Sequence, residues 1–140
     1  MKISTKGRYA VRAMYEIAVS QKAFISIAEI SQNQSISIKY LEQIISILSK
    51  NNLVTSQKGA QGGYKLTKAP NQISIYEILH ATNDTPHFAP CLEDKTACPR
   101  ATSCPTINCW DSLTTLIVNF LKSITLQDLI DKTTLKQNLI

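Results

Sequence analysis

Four cysteines stand within nineteen residues of this chain, CLEDKTACPRATSCPTINC, running from Cys91 to Cys109. Cys91, Cys98, Cys104 and Cys109 are all the cysteines it has, and the only other sulfur belongs to two methionines. Clustered thiols can pair as disulfides, bind zinc, hold an iron–sulfur cluster or act as redox-reactive groups. The spacing C-x6-C-x5-C-x4-C lacks the C-x2-C knuckle usual in structural zinc sites. It equally lacks the C-x4-C-x2-C and C-x2-C-x2-C runs of ferredoxins. Spacing alone leaves zinc, cluster and free thiols open.

The redox setting narrows the choice. Charges run through the only apolar stretch near the start, MKISTKGRYAVRAMYEIAV, and no small-residue cleavage site follows, so no secretory signal is expected. No run approaches the roughly 18 apolar residues of a membrane span. A cytoplasmic protein off the membrane is expected, with reduced thiols, which weighs against disulfides. Pro90, Pro99 and Pro105 adjoin three of the cysteines and stiffen the backbone there, which favours a fixed metal nest. His80 and His87 are the other possible ligands. His80 lies on a helix whose apolar face is Ile75, Ile78 and Leu79, and reads as a surface or interface residue; His87 stands four residues before Cys91.

These thiols need a frame, and the first 82 residues supply one. Residues 4–20 read as a helix: Ser4 or Thr5 can cap it, and Tyr9, Ala10, Ala13, Met14, Ile17 and Ala18 recur at helical spacing. Residues 25–30 open a short second helix with Ile27 and Ile30 inward, and the polar run at 31–35 ends it. A third helix starts near Ser37, a suitable N-cap, and runs to about Asn51 with Leu41, Ile44, Ile45 and Leu48 as one stripe. Lys39, Glu42, Gln43, Ser46 and Lys50 are left outside. Two short helices about a brief polar turn match a helix-turn-helix, whose second helix reads the major groove of DNA. Leu53-Val54-Thr55 and Tyr64-Lys65-Leu66 then read as strands joined by KGAQGG at 58–63, the order of a winged helix. The glycines let the wing tip approach a DNA backbone closely. A nucleotide-binding G-x-x-x-x-G-K-[ST] loop is excluded, because Tyr64 stands five residues after Gly59.

Beyond Pro70-Asn71, Ser74 and Glu77 form an S-x-x-E capping box for a further helix. Residues 83–108 hold four prolines, three of the cysteines and little periodicity, and read as an irregular loop, which at that length needs a function or a staple. A long helix then begins at Asn108 or Cys109. Its Trp110, Leu113, Ile117, Phe120 and Ile124 alternate by three and four, a coiled-coil seam that predicts a homodimer. Residues from Thr125 on, with Leu126, Leu129 and Ile130, read as a terminal helix packing back. The expected fold is mainly α with a small β-hairpin wing. It divides into a winged helix-turn-helix domain at 1–82, a cysteine-bearing cluster loop at 83–108, and a dimerisation helix with a C-terminal helix at 109–140.

Charge agrees with a polyanion partner. The net charge is +5, but residues 1–70 carry ten Lys and Arg against three Glu, a balance of +7, and residues 71–140 carry five against seven, a balance of −2. A basic half joined to a slightly acidic remainder fits a nucleic-acid-binding module with a separate functional tail. No Ser/His/Asp or paired-carboxylate arrangement supports hydrolysis or general acid–base chemistry, so no enzyme is expected.

The segments STKGRYAVRAMYEIA, SIKYLEQIISILSKNNLV and KGAQGGYKL, the cysteine loop before a Trp-led helix and the closing SITLQDLI together strongly resemble the family of bacterial regulators typified by IscR, with NsrR, RirA and CymR as relatives. The resemblance implies a dimeric winged-helix transcription factor that binds double-stranded DNA, and in many members an iron–sulfur cluster, 2Fe–2S or 4Fe–4S, in this loop. It carries DNA contacts to Ser37, Lys39, Tyr40, Glu42 and Gln43, and to Lys58, Gly62, Gly63 and Tyr64 at the wing. Lys58 takes the place of a family arginine that enters the minor groove, keeping the charge without the planar fork. Cys91, Cys98 and Cys104 match the three cysteine ligands, with one extra residue between the first two. The family's histidine ligand falls at Ile107, and an acidic ligand used by some relatives falls at Arg8, so the fourth ligand is open. Cys109 is the candidate for it. With Asn108 as N-cap and Asp111 three residues on, it would occupy the first helical position, where unpaired N–H groups favour a thiolate. The plain alternative is a small residue buried under Trp110. The competing function is a metal-independent regulator of the same fold, controlled by a protein partner or by thiol oxidation, as in CymR-like members.

Overall fold

The computed structural model describes residues 2–131, so the last part of the 109–140 segment, residues 132–140, lies outside the described residues. The first helix, α1 (Thr5–Val19), is capped by Ser4, whose hydroxyl accepts the Gly7 N–H at 3.0 Å. It buries Gly7, Ala10, Ala13, Met14 and Ile17. Small residues on that stripe let neighbours approach closely, and α2 (Ile27–Gln34), α3 (Ile38–Lys50), α4 (Ile75–Ala81) and α7 (Leu126–Ile130) all pack against α1.

The second helix differs from the expected one at both ends. Ile25 is outside it and pairs with Tyr64 as a short antiparallel bridge, while Ser26 and Glu29 form a full capping box that starts the helix two residues later. The polar run does end it, but only at its last residue, Ser35. The helix continues to Gln34 because its polar side chains have partners on α1: Asn33 and Gln34 donate to the two carboxylate oxygens of Glu16, at 2.6 and 2.7 Å. Arg12 donates to the side chain and to the backbone carbonyl of Gln34. Ser35, in the left-handed conformation at φ 54°, closes the helix, and Ser31 donates its hydroxyl to the Ile36 carbonyl at 2.6 Å. The turn into α3 is therefore held from two sides. Ser37 caps α3 through the Tyr40 N–H, as expected, and Leu41, Ile44, Ile45 and Leu48 are buried.

Strands β1 (Val54–Gln57) and β2 (Gly63–Leu66) pair antiparallel, with Val54 opposite Leu66 and Gln57 opposite Gly63. Tyr64 exchanges both backbone hydrogen bonds with Ile25, at 2.9 and 2.8 Å, so the wing is tied to the loop before α2. This gives the paired glycines an internal reason. Gly63 sits at φ +147°, and a Cβ there would lie 2.3 Å from the Ile25 carbonyl oxygen. At Gly62 an added Cβ would lie 2.1 Å from the carbonyl oxygen of Gln57. At the tip, Gly59 has open space around it.

After a 3-10 turn at Pro70–Gln72, the expected Ser74/Glu77 capping box starts α4. The segment read as an irregular loop contains a short helix, α5 (Pro90–Glu93), and a 3-10 turn at Lys95–Ala97 capped by Asp94. Pro90 at the first helical position and the Asp94 side chain are local signals too short to register as periodicity. The long helix α6 (Ile107–Ser123) lies against α4 and α5 and has no buried residue. The chain then returns. Thr125 bridges Ser74, Ile75 N–H donates to Ile124 at 2.8 Å, and Leu126 N–H donates to Ile73 at 3.0 Å. Leu126, fully buried, joins the same core as α1 and α4. The measurable consequence concerns Gly63. Gly63→Ala must displace the Ile25 backbone or distort the strand, and is expected to cost about 1–3 kcal/mol, read as a lower urea midpoint with an unchanged slope.

Candidate functional site

Two surfaces carry the residues that sequence reasoning singled out. On the first, Ser37, Lys39, Glu42 and Gln43 stand exposed along one side of α3, with Lys58 exposed on the turn of the wing beside them. Tyr40 is only half-exposed, because its ring meets Tyr9 edge-on with centroids 5.7 Å apart, and Arg12 covers the other part of Tyr9 at 5.2 Å. Tyr64 is also half-buried, held by its bridge to Ile25. Glu42, Ser46, Ser49 and Lys50 on α3 and Ser56 and Tyr64 on the wing line one open cleft. Exposed Lys39 and Lys50 on α3 and Lys58 on the turn of the wing supply positive charge, while Lys65 lays its ammonium over the Phe24 ring at 5.1 Å. Gly62 and Gly63 serve wing geometry first, and their backbone lies at the root of the tip.

The second surface is the cysteine segment. All four thiols are free; Cys91, Cys98 and Cys104 are partly buried and Cys109 is exposed. Among the described residues no three His, Cys, Asp or Glu side chains converge to hold a metal ion. Cys91 lines a cleft with Ala101, Ile107, Asn108 and Asp111. The donor set itself fits an iron–sulfur group: four unpaired thiols in one short segment, one of them biased to the thiolate form that metals require. That thiol is Cys104. The Thr106 hydroxyl lies 3.2 Å from its Sγ, and this contact, helped by the backbone N–H groups of Thr106 and Ile107 and by the Arg100 charge, holds its pKa below the ordinary thiol value.

Thr106 also moves the start of α6. It is the N-cap of the helix but makes no side-chain capping bond, since its hydroxyl faces Cys104. Asn108 is thus inside the helix rather than capping it, and Cys109 occupies the third helical position, its N–H bonded to the Thr106 carbonyl at 3.1 Å. Burial beneath Trp110 does not hold either, because both side chains are exposed. His87 pairs with Glu93 at 3.0 Å, and His80 stacks on Tyr76 and contacts the Thr85 hydroxyl at 3.2 Å.

One residue outside every motif ties the start of the cysteine segment to the start of α1. Asp84, at the entry to the cysteine segment, accepts the Ser4 N–H at 3.1 Å, the Ser4 hydroxyl, and the Thr82 hydroxyl at 3.4 Å. An added Cβ on Gly7 would lie 2.2 Å from its carboxylate, so the first turn of α1 carries a glycine where Asp84 sits. A serine cap eighty residues away in sequence gives no local signal for this.

Residues 3–132 match the sequence profile of a family described as Rrf2, iron-dependent transcriptional regulator. The chain belongs to the Rrf2 family. It is 39% identical over 132 residues to the HTH-type transcriptional regulator IscR of Pectobacterium carotovorum subsp. carotovorum, covering 94% of this chain and 80% of that protein. Among solved structures it is similar to CymR, the global cysteine regulator of B. subtilis, with a TM-score of 0.71 and 34% identity over 94% of this chain and 98% of that one. The corresponding values for T. potens IscR are 0.71 and 32%, over 98% of this chain and 91% of that one. The winged, mainly helical fold and the transcriptional-regulator class expected from the sequence therefore stand, and the relatives are regulators rather than enzymes. No helix among the described residues of this Rrf2 chain is long and apolar enough to cross a membrane.

The thiol environment can be measured directly in the metal-free protein. Thr106→Val removes the hydroxyl that favours the Cys104 thiolate, so the midpoint of its alkylation rate should move to higher pH. Peptide-resolved iodoacetamide labelling across a pH series checks it; an unmoved Cys104 profile would show that the hydroxyl has no such role.

Proposed function

We propose that the chain is a homodimeric regulator that binds double-stranded DNA through α3 and the wing, and that Cys91, Cys98, Cys104 and Cys109 hold an iron–sulfur cluster whose state sets DNA affinity. The observation that carries this reading is the outward face of α3. Its polar side chains Ser37, Lys39, Glu42 and Gln43 project from a helix-turn-helix whose turn is braced by Arg12 and Glu16, within a half of the chain that carries +7. In the major groove, Glu42 accepts from cytosine N4 and Gln43 can pair with adenine, while Lys39 and Lys58 supply charge to phosphates. Tyr40 aligns the first turn of α3 against Tyr9, and Gly62, Gly63 and Tyr64 hold the wing in reach of the backbone. The cytoplasm, where such a regulator meets DNA, is the matching compartment.

A second copy of the chain is the partner that α6 calls for. Trp110, Leu116 and Phe120 are exposed and Leu113 and Ile117 half-exposed on a helix that buries none of its residues, and pairing two such seams removes them from water. The organisation of the proposal is a DNA-binding unit at 1–82, a sensing segment at 83–108 and a dimerisation segment from 109. A bound cluster would supply an oxidisable, labile inorganic group. The chain's own contributions are the four thiols, the thiolate-favouring contact at Cys104 and the Asp84 tie through which the segment meets the start of α1.

A second reading is favoured by that same contact and by the similarity to CymR: metal-independent regulation, in which oxidation of Cys104 or a protein partner takes the place of the cluster. Visible absorbance with iron and sulfide content after anaerobic purification separates the two. Colour supports the first reading; a colourless protein whose DNA affinity changes with thiol oxidation supports the second.

Three outcomes are expected. On a specific duplex, affinity should fall with salt at a log–log slope of about −0.9 per neutralised phosphate. Glu42→Ala should relax sequence preference by about 1–3 kcal/mol, and Lys58→Ala should weaken all duplexes alike. Equal loss of specificity in both variants would contradict that division. For the cysteines, Cys109→Ser should lose cluster or shift its spectrum, and Cys91→Ser, Cys98→Ser and Cys104→Ser should lose it as well, measured as iron and sulfide per chain and by visible absorbance. Full occupancy with an unchanged spectrum removes Cys109 from the ligand set.

A further inference from the structure

Among the described residues four large apolar side chains stand exposed: Trp110, Leu116 and Phe120, all on α6, and Ile38, 44% exposed, at the first position of α3. The three on α6 share one helix and one explanation. Ile38 shares neither. It is the only large exposed apolar side chain of the DNA-binding unit among those residues, on a helix whose other exposed positions are Lys39, Glu42, Gln43, Ser46, Ser49 and Lys50.

Nothing in the fold asks for isoleucine at this position. Ile38 belongs neither to the buried core nor to the half-buried shell packed on it. Ser37 already caps the helix with its own hydroxyl, so no local backbone need is met by the side chain. A β-branched residue in the first turn is a weaker helix former than most straight-chain residues. What distinguishes the site is its place: the amino-terminal turn of a recognition helix is the part that meets base edges. Ile38 is also one helical turn from Glu42, a spacing that brings the two side chains to the same edge of the exposed face.

We propose that Ile38 is a specificity-determining residue that reads a thymine by packing against its C5-methyl group. The inference rests on the DNA-binding reading of α3 given above. The chemistry is that of the major groove, where the thymine methyl is the apolar feature that a side chain without donors or acceptors can recognise. A lysine or serine at this position would be served by water or phosphate; an isoleucine gains only when an apolar group covers it. Because Ile38 and Glu42 are about 5–6 Å apart as i and i+4 neighbours, the thymine falls within a base step or two of the cytosine read by Glu42. Ile38 thus adds a methyl-dependent preference that Glu42, which accepts only hydrogen bonds, cannot provide.

The experiment uses the full chain and a duplex that it enriches from a random-sequence pool. Each thymine of one half-site is replaced in turn by uracil, which removes the methyl and keeps every hydrogen-bonding group. Binding by the unaltered protein should weaken about four-fold at one position, the value of one apolar carbon leaving contact. The same replacement should leave binding by Ile38→Ala unchanged. Since the first measurement needs no variant, a failure of Ile38→Ala to fold does not remove the test. If uracil is silent at every thymine, or if Ile38→Ala shows the same loss at the same base, the inference is overturned while DNA binding stands. If no duplex is enriched, both it and the DNA-binding reading fall.

Discussion

Ala10, Ala13 and Met14 on α1 expose nothing to solvent, and α2, α3, α4 and α7 reach their own burial by lying against that helix. The small side chains are the condition for this arrangement, since a larger residue at Ala10 or Ala13 would have to push a neighbouring helix away. The position of α3 relative to the wing follows from it. One end of α1 is fixed by the hydroxyl of Ser4 and the carboxylate of Asp84. Farther along, Arg12 and Glu16 hold the turn that aims α3. The exposed face of α3 therefore depends on contacts that point the other way, into the middle of the unit.

Much of this was legible in the sequence because it is periodic. The stripe at Leu41, Ile44, Ile45 and Leu48, the serine caps and the S-x-x-E box are local patterns with local causes, and the structure repeats them. The departures share a different cause: each depends on a partner distant in sequence. Asn33 and Gln34 look like helix-ending residues until Glu16 is brought alongside. Gly63 looks like a freely turning residue until the Ile25 carbonyl is found against it. Cys109 was misplaced by two positions because Thr106 turns its hydroxyl to Cys104 instead of its own helix. The four thiols were evident as a donor set, but spacing carries no information on whether they converge.

The cysteine segment is connected to the core around α1 and α4 on both sides. At its start, Asp84 ties it to the first residues of α1. At its far side, α6 rests on α4 and leads directly into the bridge between Thr125 and Ser74. The Lys122 ammonium lies over the Tyr76 ring at 4.9 Å, and that ring stacks on His80, so the end of α6 also grips α4 through side chains. The segment and the helix that follows it therefore meet the unit that holds α3 at two places, the start of α1 and α4.

The bridge between Ser74 and Thr125 has a consequence for how such chains can vary. It closes a ring of backbone that contains every cysteine, and the entropy of closing a ring grows only with the logarithm of its length. One more residue in a ring of roughly fifty adds about 0.02 kcal/mol, far below anything selection on stability could notice. A residue added between Cys91 and Cys98 would thus be nearly free as far as ring closure is concerned. Ring closure tolerates changes in the spacing of the cysteines while the two anchors keep the rest in place. The number of residues between these thiols is therefore left to local packing, such as α5 on α6 and the buried Ala101, and to the chemistry of the thiols themselves.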